Sequence, residues 1–170
     1  LVSSRGLGDV YKRQLLKSVI KLQAELVAKW MSVGFIHGVM NTDNTSISGE
    51  TIDFGPCAFM DEYHPTRVFS YIDQGGRYSY INQGKIMLWN LSKFAECLIP
   101  LLDSNFETAK KKAINCLEVY PKYFEENISL ILPQVITIKL QRCRISFTEI
   151  DLNPSFDDKS LIFGYSMTPN

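Results

Sequence analysis

The chain has 170 residues with 45% hydrophobic composition, which is enough for one globular domain with a buried core. It carries 18 basic and 18 acidic residues, so no overall charge favours binding to nucleic acid or to an anionic membrane. Charged residues or proline interrupt its apolar runs before these reach the roughly 20 residues of a membrane-spanning helix, so we expect neither partner.

Residues 1–14 (LVSSRGLGDVYKRQ) do not resemble the segment that follows them. They contain no apolar core of the kind found in signal peptides, and the chain does not begin with methionine. We interpret residues 1–14 as a non-family tail, of artificial origin, and set them aside. Residues 15–170 are then one domain, expected to be a fragment of a longer protein.

The first half of this domain predicts a helix followed by a hairpin. Over residues 15–33 apolar side chains recur at intervals of three and four, the pattern of an amphipathic helix, which Gly34 is expected to end. Residues 45–47 and 51–52 are short runs with β-branched side chains on either side of a turn that contains Gly49. This arrangement predicts a small β-hairpin.

The second half predicts two further helices. Residues 54–85 are rich in glycine, proline, aspartate and asparagine without a sustained period, so we expect a long loop. Helical apolar spacing resumes over residues 86–102 and again over residues 106–123. Residues 124–150 mix helical and β-branched runs and receive no assignment, whereas residues 151–170 are polar. The predicted fold class is α+β, mostly α.

Two motifs flank the predicted hairpin in the order that protein kinases use. HGVMNTDN (residues 37–44) precedes the hairpin, and Asp53 begins a DFG sequence directly after it. The kinase catalytic loop has a histidine and an asparagine at the spacing of His37 and Asn44, and this asparagine and the DFG aspartate hold Mg²⁺. Amide and carboxylate oxygens are ligands that Mg²⁺ prefers. Asn44 and Asp53 are therefore the predicted metal ligands.

The hairpin would return the chain to its starting point and bring Asn44 beside Asp53. We expect their side-chain oxygens to lie about 3–5 Å apart, because a Mg²⁺ ion with bonds of roughly 2.1 Å can bridge that distance. Side chains on opposite faces of the hairpin would exclude a shared cation.

The position of the kinase catalytic aspartate is occupied by Val39, which cannot accept a proton. Asp43 is the carboxylate within this loop and is adjacent to Asn44. It could serve as the base that takes a proton from a substrate hydroxyl. An aspartate in a loop also often accepts backbone hydrogen bonds in a turn. The residues alone leave these two roles of Asp43 open.

Two other residues near the motifs are chemically versatile. In kinase-like loops the histidine at the position of His37 packs and hydrogen-bonds to order the loop, and we expect this structural role here. Arg77 lies among glycines and tyrosines. It could contact a phosphate or the substrate, or form an ion pair that fixes the long loop.

The stretch VGFIHGVMNTDNTSISGETIDFGPCAFMDEY (residues 33–63) resembles the signature of the selenoprotein O family. The resemblance continues through GRY (76–78), NQ (82–83) and LWNL (88–91), and covers roughly residues 15–125. It implies the C-terminal lobe of a protein-kinase-like fold, with the N-terminal lobe absent. Families of this type bind ATP in a flipped orientation and transfer AMP to hydroxyl side chains of proteins.

The resemblance also implies site residues and partners. Asp43 would be the proton acceptor, Asn44 and Asp53 the ligands of Mg²⁺ or Mn²⁺, and Asp53 would also lie near the nucleotide. Val39 is then the residue that the family itself carries at this position. The implied partners are ATP and proteins with Ser, Thr or Tyr hydroxyls. The implied location is cytoplasmic for a bacterial chain and mitochondrial for a eukaryotic one.

Kinase-like enzymes grip the nucleotide with a glycine-rich loop, a strand lysine and a helix glutamate that precede the catalytic loop. None of these is found in this sequence. We therefore expect the fragment alone to be inactive. Two alternatives stay open: a kinase that uses Asp43 as base and transfers the γ-phosphoryl group, and a catalytically dead pseudokinase that binds a partner through the helices after residue 85.

Overall fold

The computed structural model describes the backbone of residues 4–142 and the side chains of residues 10–131. The elements in chain order are α1 (Ser4–Ser32), β1 (Phe35–Ile36), β2 (Ala58–Phe59), α2 (Gln83–Leu102), α3 (Phe106–Leu117) and α4 (Tyr120–Arg142). The expected α+β class, mostly α, is confirmed. No helix in this part of the chain is long and apolar enough to cross a membrane. The expectations for residues 143–170 lie outside the described residues.

Helix α1 lies at the centre of the core and contacts the three other helices. Its fully buried apolar residues, spaced as the sequence predicts, are Leu16, Ile20, Ala24, Val27 and Ala28. Just beyond the helix, Gly34 has a φ of +72°, and its N–H donates to the Met31 carbonyl (3.2 Å). The helix predicted over residues 15–33 is confirmed. It begins earlier than expected, at Ser4, within the segment 1–14 that we had set aside.

Helix α2 confirms the prediction over residues 86–102, with a slightly earlier start. Residues 106–123, predicted as a single helix, instead form α3 and the start of α4, separated by a turn at Glu118 and Val119. This break lets the stacked rings of Tyr120 and Phe124 pack into the core, with centroids 5.9 Å apart. Apolar spacing continues across the break, so periodicity does not reveal it. Helix α4 then includes residues 124–142, which received no assignment.

The hairpin predicted over residues 45–52 is wrong. These residues contain a turn closed by a 3.1 Å backbone hydrogen bond, but its two arms do not pair as strands. Side chains of α1 hold the arms separately. Gln23 Nε2 donates to the Ser46 carbonyl, and Trp30 Nε1 donates to Thr51 Oγ1 (2.8 Å). These contacts with α1 replace pairing between the two runs.

The described residues contain one short sheet, which encloses residues 37–57, a longer segment than the hairpin predicted over residues 45–52. Strands β1 and β2 pair antiparallel, with Phe35 opposite Phe59 and Ile36 opposite Ala58. The rings of Phe35 and Phe59 pack with centroids 5.2 Å apart. The paired strands therefore flank residues 37–57, which contain both sequence motifs.

Gln83, the first residue of α2, adds side-chain hydrogen bonds to β1 and to the residue after it. Its Nε2 donates to the Phe35 carbonyl (3.0 Å), and its Oε1 accepts the backbone N–H of His37 (3.0 Å). Gln83 is fully buried, so both backbone groups lie where water cannot replace it. This contact fixes the start of the HGVMNTDN motif relative to α2.

Tyr80 ties the end of the long loop to the end of α1. Its hydroxyl donates to the Met31 carbonyl (2.6 Å), and the side chain is buried. Burial, with a smaller contribution from Tyr63, raises the pKa of Tyr80 to about 12. The hydroxyl therefore keeps its proton, and with it this hydrogen bond, well into the alkaline range.

Replacing Gln83 should destabilise the fold through the two backbone groups it satisfies. Gln83→Leu keeps the approximate size but leaves the Phe35 carbonyl and the His37 N–H buried without partners. Each such group costs about 1–3 kcal/mol, so we expect urea unfolding to give a free energy lower by roughly 2–4 kcal/mol. The control is Gln74→Leu, because Gln74 is an exposed loop residue. Equal stability of the two variants would contradict the assigned role.

Candidate active site

A single 3₁₀ turn, Thr42–Asn44, holds two of the three predicted site residues. The Asn44 N–H donates to the Asn41 carbonyl (3.1 Å), and the Thr45 N–H donates to the Thr42 carbonyl (3.3 Å). Asp43 is exposed and Asn44 is half-buried. The turn therefore presents a carboxylate and an amide from adjacent positions.

The side chain of Asn44 is oriented by the residue that stands in place of the kinase aspartate. Asn44 Nδ2 donates to the Val39 carbonyl at 3.0 Å. Because the nitrogen is used in this bond, the amide oxygen Oδ1 is the atom left to bind a cation. The orientation fits the role of metal ligand that the sequence predicts for Asn44.

His37 connects the two motifs from inside the protein. Its side chain is 1% exposed and packs against Trp30, with ring centroids 5.4 Å apart. Its Nε2 donates to the Ile52 carbonyl at 2.8 Å, directly before Asp53. A ring this deeply buried does not contact a substrate at the surface. The predicted structural role of His37 is confirmed.

Asp53 has a backbone conformation that side chains disfavour. Its φ of +55° makes it the only non-glycine residue with positive φ in the described part of the chain. Aspartate tolerates this region better than most residues, yet it still costs free energy, and such conformations are concentrated at functional sites. The side chain is exposed. Its carboxylate is therefore accessible to a cation or a nucleotide.

The structure joins the segments that carry the site residues at two contacts. One is the hydrogen bond from His37 to the carbonyl before Asp53. The other is the close approach of Gly38, whose φ is +86°, to the Pro56 carbonyl. The distance between the side-chain oxygens of Asn44 and Asp53 stays a prediction.

A cation at this site would depend on ligands from outside the chain. Within the described residues, no group of three or more His, Cys, Asp and Glu side chains is placed to hold a metal ion. Asn44 and Asp53 would contribute one amide oxygen and one carboxylate. Mg²⁺ commonly takes one or two protein ligands and completes its shell with water and substrate phosphates, so this small set fits Mg²⁺ better than a structural metal.

A cavity of about 310 Å³ borders the same turn through Thr42 and Thr45. The rest of its lining is mostly apolar and includes Val19, Ile47, Leu91 and Phe94. Lys93 and Asn90 also line it, but Lys93 Nζ pairs with Glu96 at 2.9 Å and Asn90 Nδ2 donates to the Met40 carbonyl and Thr45 Oγ1. Few polar groups therefore remain for phosphate oxygens or a hydrated cation. Polyphosphate chemistry therefore fits the exposed side chains of Asp43 and Asp53 better than it fits this cavity.

Sequence reasoning assigned no role to three polar residues that order the loop. Gln83 binds its start, as described above. Asn90 of α2 is 3% exposed, and its Nδ2 donates to the Met40 carbonyl (3.1 Å) and to Thr45 Oγ1 (2.8 Å). Tyr78 donates to Asn41 Oδ1 (2.6 Å). One sequence signal could have identified Asn90. It is a polar residue beside Leu91 on the apolar face of α2, where a buried amide needs hydrogen-bond partners.

Arg77 lies against aromatic rings. Its guanidinium carbon is 5.0 Å from the centroid of the Trp89 ring and 5.7 Å from that of Tyr78. Among the described residues it forms no ion pair with a carboxylate, so the salt bridge considered for this loop is not found there. Its contribution to the loop comes from cation–π packing on α2.

Comparison with known proteins identifies the family. The family model for protein adenylyltransferase SelO matches residues 8–148. The chain belongs to the SelO family. Bacterial relatives named protein nucleotidyltransferase YdiU are 60% identical over 112 residues in Bradyrhizobium diazoefficiens and 61% identical over 111 residues in Pelagibacter ubique. These alignments cover 66% and 65% of the chain. The chain spans 23% of the length of each of these relatives.

The contact between Gly38 and Pro56 predicts that this SelO-family chain cannot accept a side chain at position 38. A Cβ there would lie 2.9 Å from the Pro56 carbonyl oxygen, and the positive φ adds a further penalty. Gly38→Ala should lower the free energy of unfolding by about 2–4 kcal/mol in urea titrations.

The matched control is Gly75→Ala. A Cβ at Gly75 would have no atom within 4 Å, and this glycine is not among those with positive φ. We expect its stability to stay within about 0.5 kcal/mol of the parent, or to rise slightly through a less flexible unfolded chain. Similar losses in both variants would mean that the contact with Pro56 does not constrain the loop.

Proposed function

We propose that the full-length gene product transfers AMP from ATP to Ser, Thr or Tyr hydroxyls of proteins. In this proposal the chain supplies the base Asp43 and the metal ligands Asn44 and Asp53, and Asp53 also lies near the nucleotide. The observation that carries it is the turn Thr42–Asn44, which presents Asp43 and Asn44 together. Family membership supports nucleotidyl transfer as the class of reaction.

The proposed reaction is an in-line displacement at the α-phosphorus of ATP. The acceptor hydroxyl oxygen forms the new P–O bond, the bond to the β-phosphate oxygen breaks, and pyrophosphate leaves with the electron pair. Asp43 takes the hydroxyl proton as the oxygen attacks. Its exposed side chain is accessible to a hydroxyl on another protein.

Asn44 and Asp53 would hold Mg²⁺ or Mn²⁺ in this mechanism. When bound, such a cation neutralises charge on the phosphate oxygens. Asn44 supports this role through the hydrogen bond of its Nδ2 to Val39, which leaves Oδ1 for the cation. His37 supports it by fixing the carbonyl that precedes Asp53.

We also propose that the 170 residues do not catalyse the reaction by themselves. The glycine-rich loop, strand lysine and helix glutamate of kinase-like enzymes are not found in the sequence. The chain would then be the C-terminal lobe of a kinase-like domain. Titration calorimetry should give weak or undetectable ATP–Mg²⁺ binding to this chain, and micromolar affinity would contradict the proposal.

The leaving group distinguishes AMP transfer from its two rivals. We expect the full-length gene product to transfer label from α-labelled ATP to a protein acceptor and to release pyrophosphate. Transfer of label from γ-labelled ATP with release of ADP would identify a kinase instead. A protein that turns over neither nucleotide label would be a binding module without this chemistry.

The second test concerns the base. Asp43→Asn keeps the shape of the side chain but removes proton acceptance, so the turnover number for AMP transfer should fall by about 10²–10⁴-fold. The affinity for ATP should stay within a few-fold, because the metal ligands are unchanged. Asp53→Ala should weaken nucleotide binding and turnover together. Both quantities come from nucleotide titration and AMP-transfer kinetics on the full-length gene product.

The control for Asp43→Asn is Asp61→Asn, since Asp61 is an exposed carboxylate outside the turn. It should retain the parent turnover. Full AMP transfer by Asp43→Asn would instead show that Asp43 only stabilises the turn.

A further inference from the structure

The long loop after Asp53 returns to the turn that carries Asp43 and Asn44. At the return point the Tyr78 hydroxyl donates to Asn41 Oδ1 at 2.6 Å. This hydrogen bond joins the loop to the residue that begins the turn. No step of the proposed reaction uses it.

Asn41 is where the turn is anchored. Its carbonyl accepts both the Asn44 N–H and the Thr45 hydroxyl, each at 3.1 Å. An asparagine at the start of a helical turn commonly accepts a hydrogen bond from a backbone N–H within it. Asn41 makes no such capping bond, and its Oδ1 instead accepts the hydrogen bond from Tyr78. The loop therefore supplies the contact that holds the Asn41 side chain.

Tyr78 is itself held by the loop. The two carboxylate oxygens of Asp73 accept the N–H groups of Arg77 and Tyr78, both at 2.8 Å. The Arg77 guanidinium packs against the Tyr78 ring and against Trp89 of α2. Backbone and ring are both restrained, so the direction of the Tyr78 hydroxyl depends on an ordered loop.

We propose that Tyr78 is a positioning residue that sets the turn Thr42–Asn44 and thereby the directions of Asp43 and Asn44. Through it, the order of residues 73–78 controls the geometry of the base and of one metal ligand. This inference rests on the proposed function for its catalytic consequence. The hydrogen bond to Asn41 can be tested without it.

Loss of the Tyr78 hydroxyl should loosen the turn without unfolding the protein. Asn90 holds the other side of the loop through the Met40 carbonyl and Thr45 Oγ1, and these bonds do not involve Tyr78. The expected defect is a less ordered turn within an intact fold.

The test is Tyr78→Phe in the full-length gene product, which removes one oxygen and keeps the ring. We expect kcat for AMP transfer to fall by about 3- to 10-fold, the range for one neutral hydrogen bond, and KM for ATP to rise by less than that factor, because the ligand Asp53 lies outside the turn. Asn41→Ala removes the acceptor and should have the same effect. If Tyr78 acts through Asn41, the double variant should be no slower than either single variant.

The matched control is Tyr80→Phe. It removes a tyrosine hydroxyl that also donates at 2.6 Å, but this bond is buried and ends on the Met31 carbonyl at the end of α1. This variant should lose stability and keep the parent kcat. An equal loss of kcat in Tyr80→Phe would assign the effect to general destabilisation and overturn the positioning role of Tyr78.

Hydrogen exchange separates this inference from the proposed function. The amides of Asn44 and Thr45 close the turn, and in Tyr78→Phe they should exchange about 3- to 10-fold faster by NMR. If the parent protein transfers no AMP but these amides exchange faster in the variant, the proposed function fails and control of the turn by Tyr78 stands. Unchanged exchange would overturn the inference, as would faster exchange with unchanged kcat in an active protein.

Discussion

The hydrogen bond from His37 Nε2 to the Ile52 carbonyl is the contact on which the candidate site depends. It joins the start of the HGVMNTDN motif to the backbone immediately before Asp53, and it does so from a side chain that is 1% exposed. Because the imidazole donor is buried, water competes less for this bond than for a fully exposed one. It holds the backbone that enters Asp53, whose φ of +55° needs support from its surroundings.

Residues 37–57 have little regular structure. Buried side chains supply the hydrogen bonds to backbone groups that neighbouring strands would supply in a larger sheet. Gln83 bonds to the Phe35 carbonyl and the His37 N–H, Asn90 bonds to the Met40 carbonyl, and Gln23 bonds to the Ser46 carbonyl. Buried backbone groups need such partners. The helices thereby fix an irregular loop whose backbone adopts conformations that are not possible in a β-strand. The site gains its unusual backbone geometry without losing support from the core.

The sequence predicts the parts of this arrangement that local patterns encode. Apolar spacing identifies α1 and α2, and the spacing of His37, Asn44 and Asp53 identifies the candidate site. The prediction of a hairpin is wrong because hydrogen bonds from α1 outweigh the strand propensity of its two runs. A local sequence pattern does not contain these long-range hydrogen bonds. The roles of Gln83 and Asn90 were missed for the same reason, since their partners are distant in sequence. Continuous apolar spacing likewise conceals the break between α3 and α4.

With Val39 at the position of the kinase aspartate, the proposed base lies on the same turn as a proposed metal ligand. The Val39 carbonyl orients Asn44, and the proposed base is Asp43, the neighbour of that ligand on one turn. A shift of the turn then moves base and ligand together, so their mutual geometry is insensitive to small motions of the loop. The variable part is the position of this turn relative to Asp53. His37 constrains the backbone before Asp53, and Tyr78 constrains the start of the turn. The geometry of the proposed site is thus controlled by residues that need not contact the substrate.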